Sequence, residues 1–197
     1  MKKIFIPLIV LSAFISCGKK NKQNNSGVPD NKKETAQYII SKEGIGDLKI
    51  GMTQTELEKL LNQKMVMLHA NDTSDIWSDT ARVKYKDIAV SLYFERQYSE
   101  DKDAKVMQLM AVETSSTLCK TATGLGVGDE RAAILTAYEA NPIDMGPESE
   151  MVNDTTWVLS KTKYYINVKD DKWDKEIVFR LVNKKVASIE ATLILGD

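Results

Sequence analysis

The chain contains one histidine, His69, and two cysteines, Cys17 and Cys119. Zinc sites and nucleophile–base pairs usually rest on histidine and cysteine, so these residues limit the metal and thiol chemistry open to the chain. His69 lies in "MVMLHAND" and Cys119 in "SSTLCKTA", and neither stretch has the spacing of a catalytic signature. We therefore expect a structural histidine and a packed thiol, with no catalytic residue and no cofactor.

Acidic residues cluster in two short stretches, "SEDKDAK" at residues 99–105 and "KDDKWDKE" at residues 169–176. A calcium loop needs oxygen ligands at alternate positions and a glycine at its turn. Neither stretch has that glycine, and both are interleaved with lysine, so we expect solvated loop tips and no metal site. A pair of distant carboxylates could also serve a glycosidase, but the sequence does not set the distance between them.

Three glycines lie in "GIGDLKIGMT", which runs from Gly44 to Thr53. A dinucleotide fingerprint requires G-x-G-x-x-G, but Lys49 stands in the place of its third glycine. A phosphate-binding P-loop requires lysine after its last glycine, but Met52 follows Gly51. The glycines are therefore interpreted as a turn from a strand into a helix, at backbone conformations that other residues resist.

The glycine stretch belongs to a sequence pattern that occurs twice. "LKIGMTQTELEKLL" begins at Leu48, and "LGVGDERAAILTAY" begins 77 positions later at Leu125. Each is followed, in the same order, by a tryptophan and by alternating apolar strands, the last of them in "KVMQLMAVET" and "KVASIEATLI". Thr53 and Glu56 fit a capping box at the first helix, and Asp129 fits the cap of the second.

This order of elements predicts the α+β fold class, as two tandem repeats that each pack a helix on a small antiparallel sheet. The predicted organisation begins with a signal peptide at residues 1–16, followed by Cys17 and a flexible tether at residues 17–36. The first helix-sheet repeat then covers residues 37–118, and the second covers residues 119–197.

Alternation with a period of two divides the strand residues between a covered face and an open face. The helices can cover only one face, which should hold the apolar residues Val90, Leu92, Phe94, Ile177, Phe179 and Leu181. We expect Trp77 and Trp157, which recur in the two halves, in the core as well. The other face is the predicted binding surface, because tyrosine, methionine and arginine are enriched at interface cores. Its predicted binding residues are Tyr93, Met110, Tyr165 and Arg180.

The first residues, "MKKIFIPLIVLSAFISC", combine a basic start with an apolar run that is too short to span a bilayer comfortably. This pattern is typical of an export signal. The ending "FISC" resembles the lipobox of bacterial lipoproteins, with Phe14 where that family usually has leucine. The resemblance implies that Cys17 carries several acyl chains as the first residue of the mature chain. We therefore expect a cell-envelope protein on a bacterial membrane, the outer in preference to the inner, facing the periplasm or the cell surface.

The composition is that of a globular protein, with 43% hydrophobic and 28% charged residues in 197. The formal net charge is −1 and no basic domain is evident, so nucleic acid is not an expected partner. The lysine- and asparagine-rich stretch at residues 18–35 lacks the apolar residues that a core requires, which predicts a flexible tether.

"IGMTQTEL", which starts at Ile50, resembles the opening helix of two extracytoplasmic families. These are the outer-membrane assembly lipoproteins of the SmpA/OmlA type and the β-lactamase inhibitor proteins, the latter a tandem repeat of helix and sheet. The resemblance covers residues 44–195 as architecture and implies a fold and a style of binding. We expect a non-catalytic protein- or ligand-binding module with an envelope protein as its partner. The alternatives are an envelope hydrolase with a carboxylate or thiol centre and a carrier of a small apolar ligand.

Overall fold

The computed structural model describes residues 38–69, 77–96, 106–172 and 174–194, all of which belong to one compact unit, Glu34–Asp197. The helices within these residues are α1 (Gln54–Leu61) and α2 (Arg131–Ala137). The strands within these residues are β1 (Tyr38–Ser41), β2 (Gly44–Ile45), β3 (Leu48–Lys49), β4 (Ser78–Tyr85), β5 (Ile88–Arg96), β6 (Met107–Thr114), β7 (Cys119–Thr121), β8 (Ile143–Asn153), β9 (Thr156–Lys169), β10 (Lys175–Val182) and β11 (Lys185–Leu193).

The predicted α+β fold class, with two repeats of a helix packed on a small sheet, is wrong. Strands dominate the described residues and form two sheets of unequal size. The seven-stranded sheet has the order β4-β5-β6-β11-β10-β9-β8 and is antiparallel at every pairing. The four-stranded sheet has the order β3-β2-β1-β7, in which β1 and β7 run parallel. The fold class is therefore mainly β.

Two features of the chain explain why the predicted class is wrong. The helices have only eight and seven residues, and each buries a single residue, Leu57 in α1 and Ile134 in α2. Helices of about two turns cannot cover the face of a sheet. The strands of the two halves also pair directly, because β6 lies beside β11 with Val112 opposite Ala191. This pairing removes two exposed sheet edges and joins the predicted small sheets into one.

The hydrophobic core lies on one face of the seven-stranded sheet. The four-stranded sheet contributes Ile40, Leu48 and Cys119 to this core, and the helices contribute Leu57 and Ile134. Alternation along β5 and β10 sends every second side chain into the core, which confirms the predicted covered face. The buried residues that were predicted there are Val90, Leu92, Phe94, Ile177, Phe179 and Leu181.

The glycine stretch at residues 44–53 contains the short strands β2 and β3, and after β3 it turns into α1 at Gly51, as predicted. Gly51 has a φ of 88°, and Gly128, which precedes α2, has a φ of 91°. Both values lie in the left-handed region that favours glycine. The Gly51 N–H donates to the carbonyl of Leu109 at 2.8 Å, and the Gly128 N–H donates to the carbonyl of Val186 at 2.9 Å. Each glycine therefore ties the chain that enters a helix to a central strand, β6 or β11.

The two helices differ in how their first turns are capped. Thr53 and Glu56 form the predicted capping box of α1. The predicted cap of α2 is wrong, because Glu130 occupies that position and its side chain makes no capping bond. Asp129 instead accepts the Gly126 N–H at 2.7 Å and the Nζ of Lys120 at 3.3 Å. Its carboxylate stabilises the turn that leads into α2.

The two tryptophans expected in the core are exposed instead, and that prediction is wrong. Trp77 is 52% exposed and packs under the guanidinium of Arg96, which lies 5.6 Å from the ring centroid. Trp157 is 61% exposed and lies in the outer part of the β8–β9 hairpin. Strand β10 pairs with β9 only from Lys163 onward, so this outer part projects beyond the sheet. The recurrence of a tryptophan therefore marks strand ends in both halves and does not mark burial.

Candidate functional site on the open sheet face

The side chains that point away from the core form what we call the open face of the seven-stranded sheet. Tyr93, Tyr165 and Arg180 lie on this face, as period-two alternation predicts. Met110 is the extra residue of a β-bulge, since Tyr93 pairs with Ala111 and the next pair skips Met110. It is 8% exposed and does not belong to the core cluster, so it is packed within the open face.

Two glutamates face each other at the centre of the open face. Glu113 of β6 and Glu190 of β11 are directly paired residues of neighbouring strands. Such residues have Cβ atoms roughly 4.5–5.5 Å apart, and like charges there destabilise a sheet. Each carboxylate has its own donor: the Tyr93 hydroxyl donates to Glu113 Oε2 at 2.6 Å, and Arg180 Nη2 donates to Glu190 Oε2 at 2.9 Å. These two hydrogen bonds stabilise the pair of acids against their repulsion.

Burial and charge shift the proton affinities of this central cluster. Burial, with the hydrogen bond to Glu113, raises the pKa of Tyr93 to about 12. Burial also raises the pKa of Glu190, and the neighbouring Glu113 adds to that increase, while the Arg180 guanidinium opposes it. Desolvation thus dominates at Tyr93 and Glu190, even though Glu190 has a donor.

Arg180 links the central acids to the edge of the sheet. Its Nη1 donates to Glu148 Oε1 at 3.3 Å, while Nη2 holds Glu190. A groove of about 560 Å³, which we call the side groove, opens beside this bridge and is lined by Tyr165, Glu148 and Leu159. Leu159 is 66% exposed and gives the groove an apolar wall.

A second groove, which we call the acidic groove, lies along the strands β9, β10 and β11 and has a volume of about 510 Å³. It shares Tyr165 and Arg180 with the side groove, because these two residues are paired on neighbouring strands. Tyr93 and Met110 line neither groove. The polar lining of the acidic groove consists mainly of Asp144, Asn167, Glu176, Glu190 and Thr192.

Two acceptor atoms of the acidic groove are buried without a donor. Asn167 Nδ2 donates to Glu176 Oε1 at 3.3 Å, but Glu176 Oε2 and Asn167 Oδ1 have no hydrogen-bond partner among the described residues. Burial raises the pKa of Glu176, and the carboxylates of Glu190 and Asp144 add to the increase, whereas Lys169 opposes it. Buried acceptors are nearly always paired in native proteins, so an unpaired couple that lines a groove is an unusual arrangement.

The carboxylates that line the acidic groove can accept hydrogen bonds from a group that carries several N–H donors. An ammonium has three such donors and a guanidinium has five. The carboxylates of Asp144 and Glu176 favour a positive charge, whereas Glu190 is already paired with Arg180 of the same groove. The ring of Tyr165 offers a flat surface for a guanidinium or an alkyl chain. The groove is therefore suited to binding a cationic group.

Sequence reasoning missed Glu113, Glu148 and Glu176 as members of this site. Glu176 was assigned to a solvated loop tip, but it lies within β10, four residues before Arg180 on the same face. The alternation that identified Arg180 also identifies Glu176, whereas the pairing of Glu113 with Glu190 depends on the contact between β6 and β11.

The remaining chemistry-bearing residues lie away from the open face or outside the described residues. Asp79 accepts the His69 N–H at 3.1 Å and lies 3.1 Å from His69 Nδ1, so it fixes the histidine beside β4. Cys119 is fully buried, and burial raises the pKa of its thiol to about 11. Cys17 and the acidic stretch at residues 99–105 lie outside the described residues.

Within residues 38–69, 77–96, 106–172 and 174–194, no group of three or more histidine, cysteine or acidic side chains is placed to hold a metal ion. The same part of the chain contains no helix that is long and apolar enough to cross a membrane. Comparisons with protein-family models, curated proteins and solved structures found no match to this chain.

Proposed function

We propose that this protein is an envelope lipoprotein, anchored through Cys17, whose open face binds a protein partner without catalysing a reaction. The partner places a lysine or arginine side chain in the acidic groove. The observation that carries this proposal is the acidic lining of this groove by Asp144, Glu176 and Glu190. A cationic side chain from the partner would form charge-assisted hydrogen bonds with these carboxylates.

A polypeptide fits the open face better than a small ligand because the two grooves adjoin. Tyr165 and Arg180 line both of them, so a chain that crosses the sheet contacts the acidic groove and the side groove together. The exposed Leu159 gives an apolar contact at one end, and Glu176 gives a charged contact at the other. Tyrosine and arginine are also enriched among the residues that dominate binding energy at protein interfaces.

Photo-crosslinking in the native cells tests the proposal. A photoreactive phenylalanine analogue is introduced at Tyr165 in the full chain and, as a control, at the exposed Gln63 beyond the end of α1. We expect one discrete protein adduct at Tyr165 that is absent at Gln63. The adducted partner segment should contain lysine or arginine, as identified by peptide mass spectrometry. Identical adducts at the two positions, or no protein adduct at Tyr165, would contradict the proposal.

A further inference from the structure

A pocket separate from the side groove and the acidic groove lies on the opposite side of the seven-stranded sheet from the acidic groove. It has a volume of about 260 Å³, and its floor includes Tyr164 and Leu181, which pack with the core. Three cationic side chains surround it: Arg131 from the start of α2, Lys161 from β9 and Lys184 from the turn between β10 and β11. We call it the basic pocket.

The three cations of the basic pocket lack anionic partners in the part of the chain that the structure describes. No ion pair joins Arg131, Lys161 or Lys184 to a carboxylate among these residues. Glu130, which directly precedes Arg131 in the chain, forms no ion pair with any of the three. The Arg131 guanidinium lies 6.0 Å from the centroid of the Tyr164 ring, and its Nη2 donates to the sulfur of Met145 at 3.3 Å. A thioether is a weak acceptor, so most of the guanidinium donors remain available to a ligand.

Backbone hydrogen bonds hold the three cation-bearing segments together. The Arg131 N–H donates to the Lys184 carbonyl at 3.0 Å, and the Asn183 N–H donates to the Thr162 carbonyl at 2.9 Å. Asn183 and Lys184 have φ values of 51° and 68°, as in the tight turn of a two-residue β-hairpin. The positive charges are therefore brought together by the fold before any ligand binds, which lowers the entropy lost on binding.

We infer that the basic pocket binds a phosphate group. Arginine with neighbouring lysines matches the charge and the planar donor geometry that phosphate recognition uses. The Thr162 hydroxyl and the Asn183 amide line the same pocket and add neutral donors. The apolar floor at Tyr164 and Leu181 can pack against a short carbon skeleton, so the ligand is an organic phosphate. This inference does not depend on the proposed function of the open face.

An organic phosphate can reach this pocket as a free monoester or as the diester headgroup of a phospholipid. Isothermal titration of the full chain in mild detergent separates these sources with two soluble probes, glycerol 3-phosphate and glycerophosphoglycerol. Tighter binding of the monoester assigns the pocket to a free phosphate ester, and tighter binding of the diester assigns it to a lipid headgroup. Glycerol, which lacks the phosphate, is the matched ligand control.

Variants of the full chain then locate the site. Arg131→Ala is expected to weaken binding of the preferred probe by about tenfold to a hundredfold, because it removes charge-assisted hydrogen bonds but keeps the backbone bond to Lys184. Lys184→Gln should weaken binding as well, and Lys59→Gln on the exposed surface of α1 should leave it unchanged.

Thermal unfolding of each variant in the absence of probe controls for loss of the fold, and Arg131→Lys provides a milder change at the same position. It retains the charge without the planar donors, so binding should fall by less than in Arg131→Ala. Binding of neither phosphate probe, or binding that the Arg131 and Lys184 variants leave unchanged, would overturn the assignment.

Discussion

Replacing Glu176 by glutamine is expected to stabilise the fold. Glu176 Oε2 and Asn167 Oδ1 are both buried acceptors without a donor. The glutamine side chain removes the buried charge and brings an amide N–H next to Asn167, whose own amide already donates to Oε1 at 3.3 Å. The variant can therefore form a reciprocal pair of side-chain amide hydrogen bonds within the acidic groove.

The size of this effect follows from the cost of leaving a buried polar atom unpaired, which is about 1–3 kcal/mol. We expect Glu176→Gln to raise the free energy of unfolding at pH 7 by about 1–2 kcal/mol. For a chain of this size that corresponds to an increase in Tm of roughly 2–8 °C. Thermal and urea unfolding, followed by circular dichroism, measure the change.

The pH dependence of stability provides a second test of the same reasoning. Burial raises the pKa of Glu176 above its ordinary value of 4.5, so between the two values the folded state holds a proton that the unfolded state has lost. The unfolded state then binds fewer protons, and stability falls as the pH rises through this interval. Glu176→Gln lacks this loss, so its advantage over the wild type should be small at pH 4 and larger at pH 7.

An exposed glutamate outside the acidic groove serves as the control for this prediction. Glu139→Gln, beyond the end of α2, should change stability by less than about 0.5 kcal/mol, as is usual for surface positions. A Glu176→Gln variant that is less stable than the wild type at pH 7 would refute the reasoning, because it would mean that the carboxylate is satisfied in the folded protein.

Three further predictions test the fold. Cys119 should resist alkylation by iodoacetamide at pH 8 in the folded protein and react after denaturation. Its thiol is fully buried, and burial raises its pKa to about 11. Rapid reaction of the thiol in the native protein would contradict this prediction. Gly46→Ala should lower the free energy of unfolding by about 1–3 kcal/mol in urea titrations. The φ of Gly46 is 55°, and a Cβ at this position would lie 2.6 Å from the Tyr85 hydroxyl. An unchanged free energy of unfolding would contradict this description of the turn. Trp157→Ser should cost less than about 1 kcal/mol in thermal unfolding, whereas a core tryptophan would cost about 3–5 kcal/mol.

The sequence was most informative where a signal is local. Thr53 and Glu56 predict the start of α1, because the chemistry of a helix cap involves residues only a few positions apart. The alternation in β5 and β10 predicts which side chains are buried for the same reason.

What the sequence did not reveal depends on contacts between distant segments. The pairing of β6 with β11 changes the fold class, and no local pattern specifies which strand lies beside which. The same contact brings Glu113 opposite Glu190, so the centre of the candidate site could not be recognised from either strand alone. Trp157 was misassigned because β9 continues past the end of its pairing with β10, and the length of a neighbouring strand is not a local property.

The central claim, that the acidic groove accepts a cationic side chain of a partner, is tested most directly by the yield of the Tyr165 crosslink in two variants. At equal protein levels, Glu176→Gln should reduce the yield of the partner adduct by about tenfold or more, since it removes a charge-assisted hydrogen bond, while Glu139→Gln should not. The loss of the adduct would then occur in a variant that is more stable than the wild type. Equal adduct yields in the two variants would contradict the account.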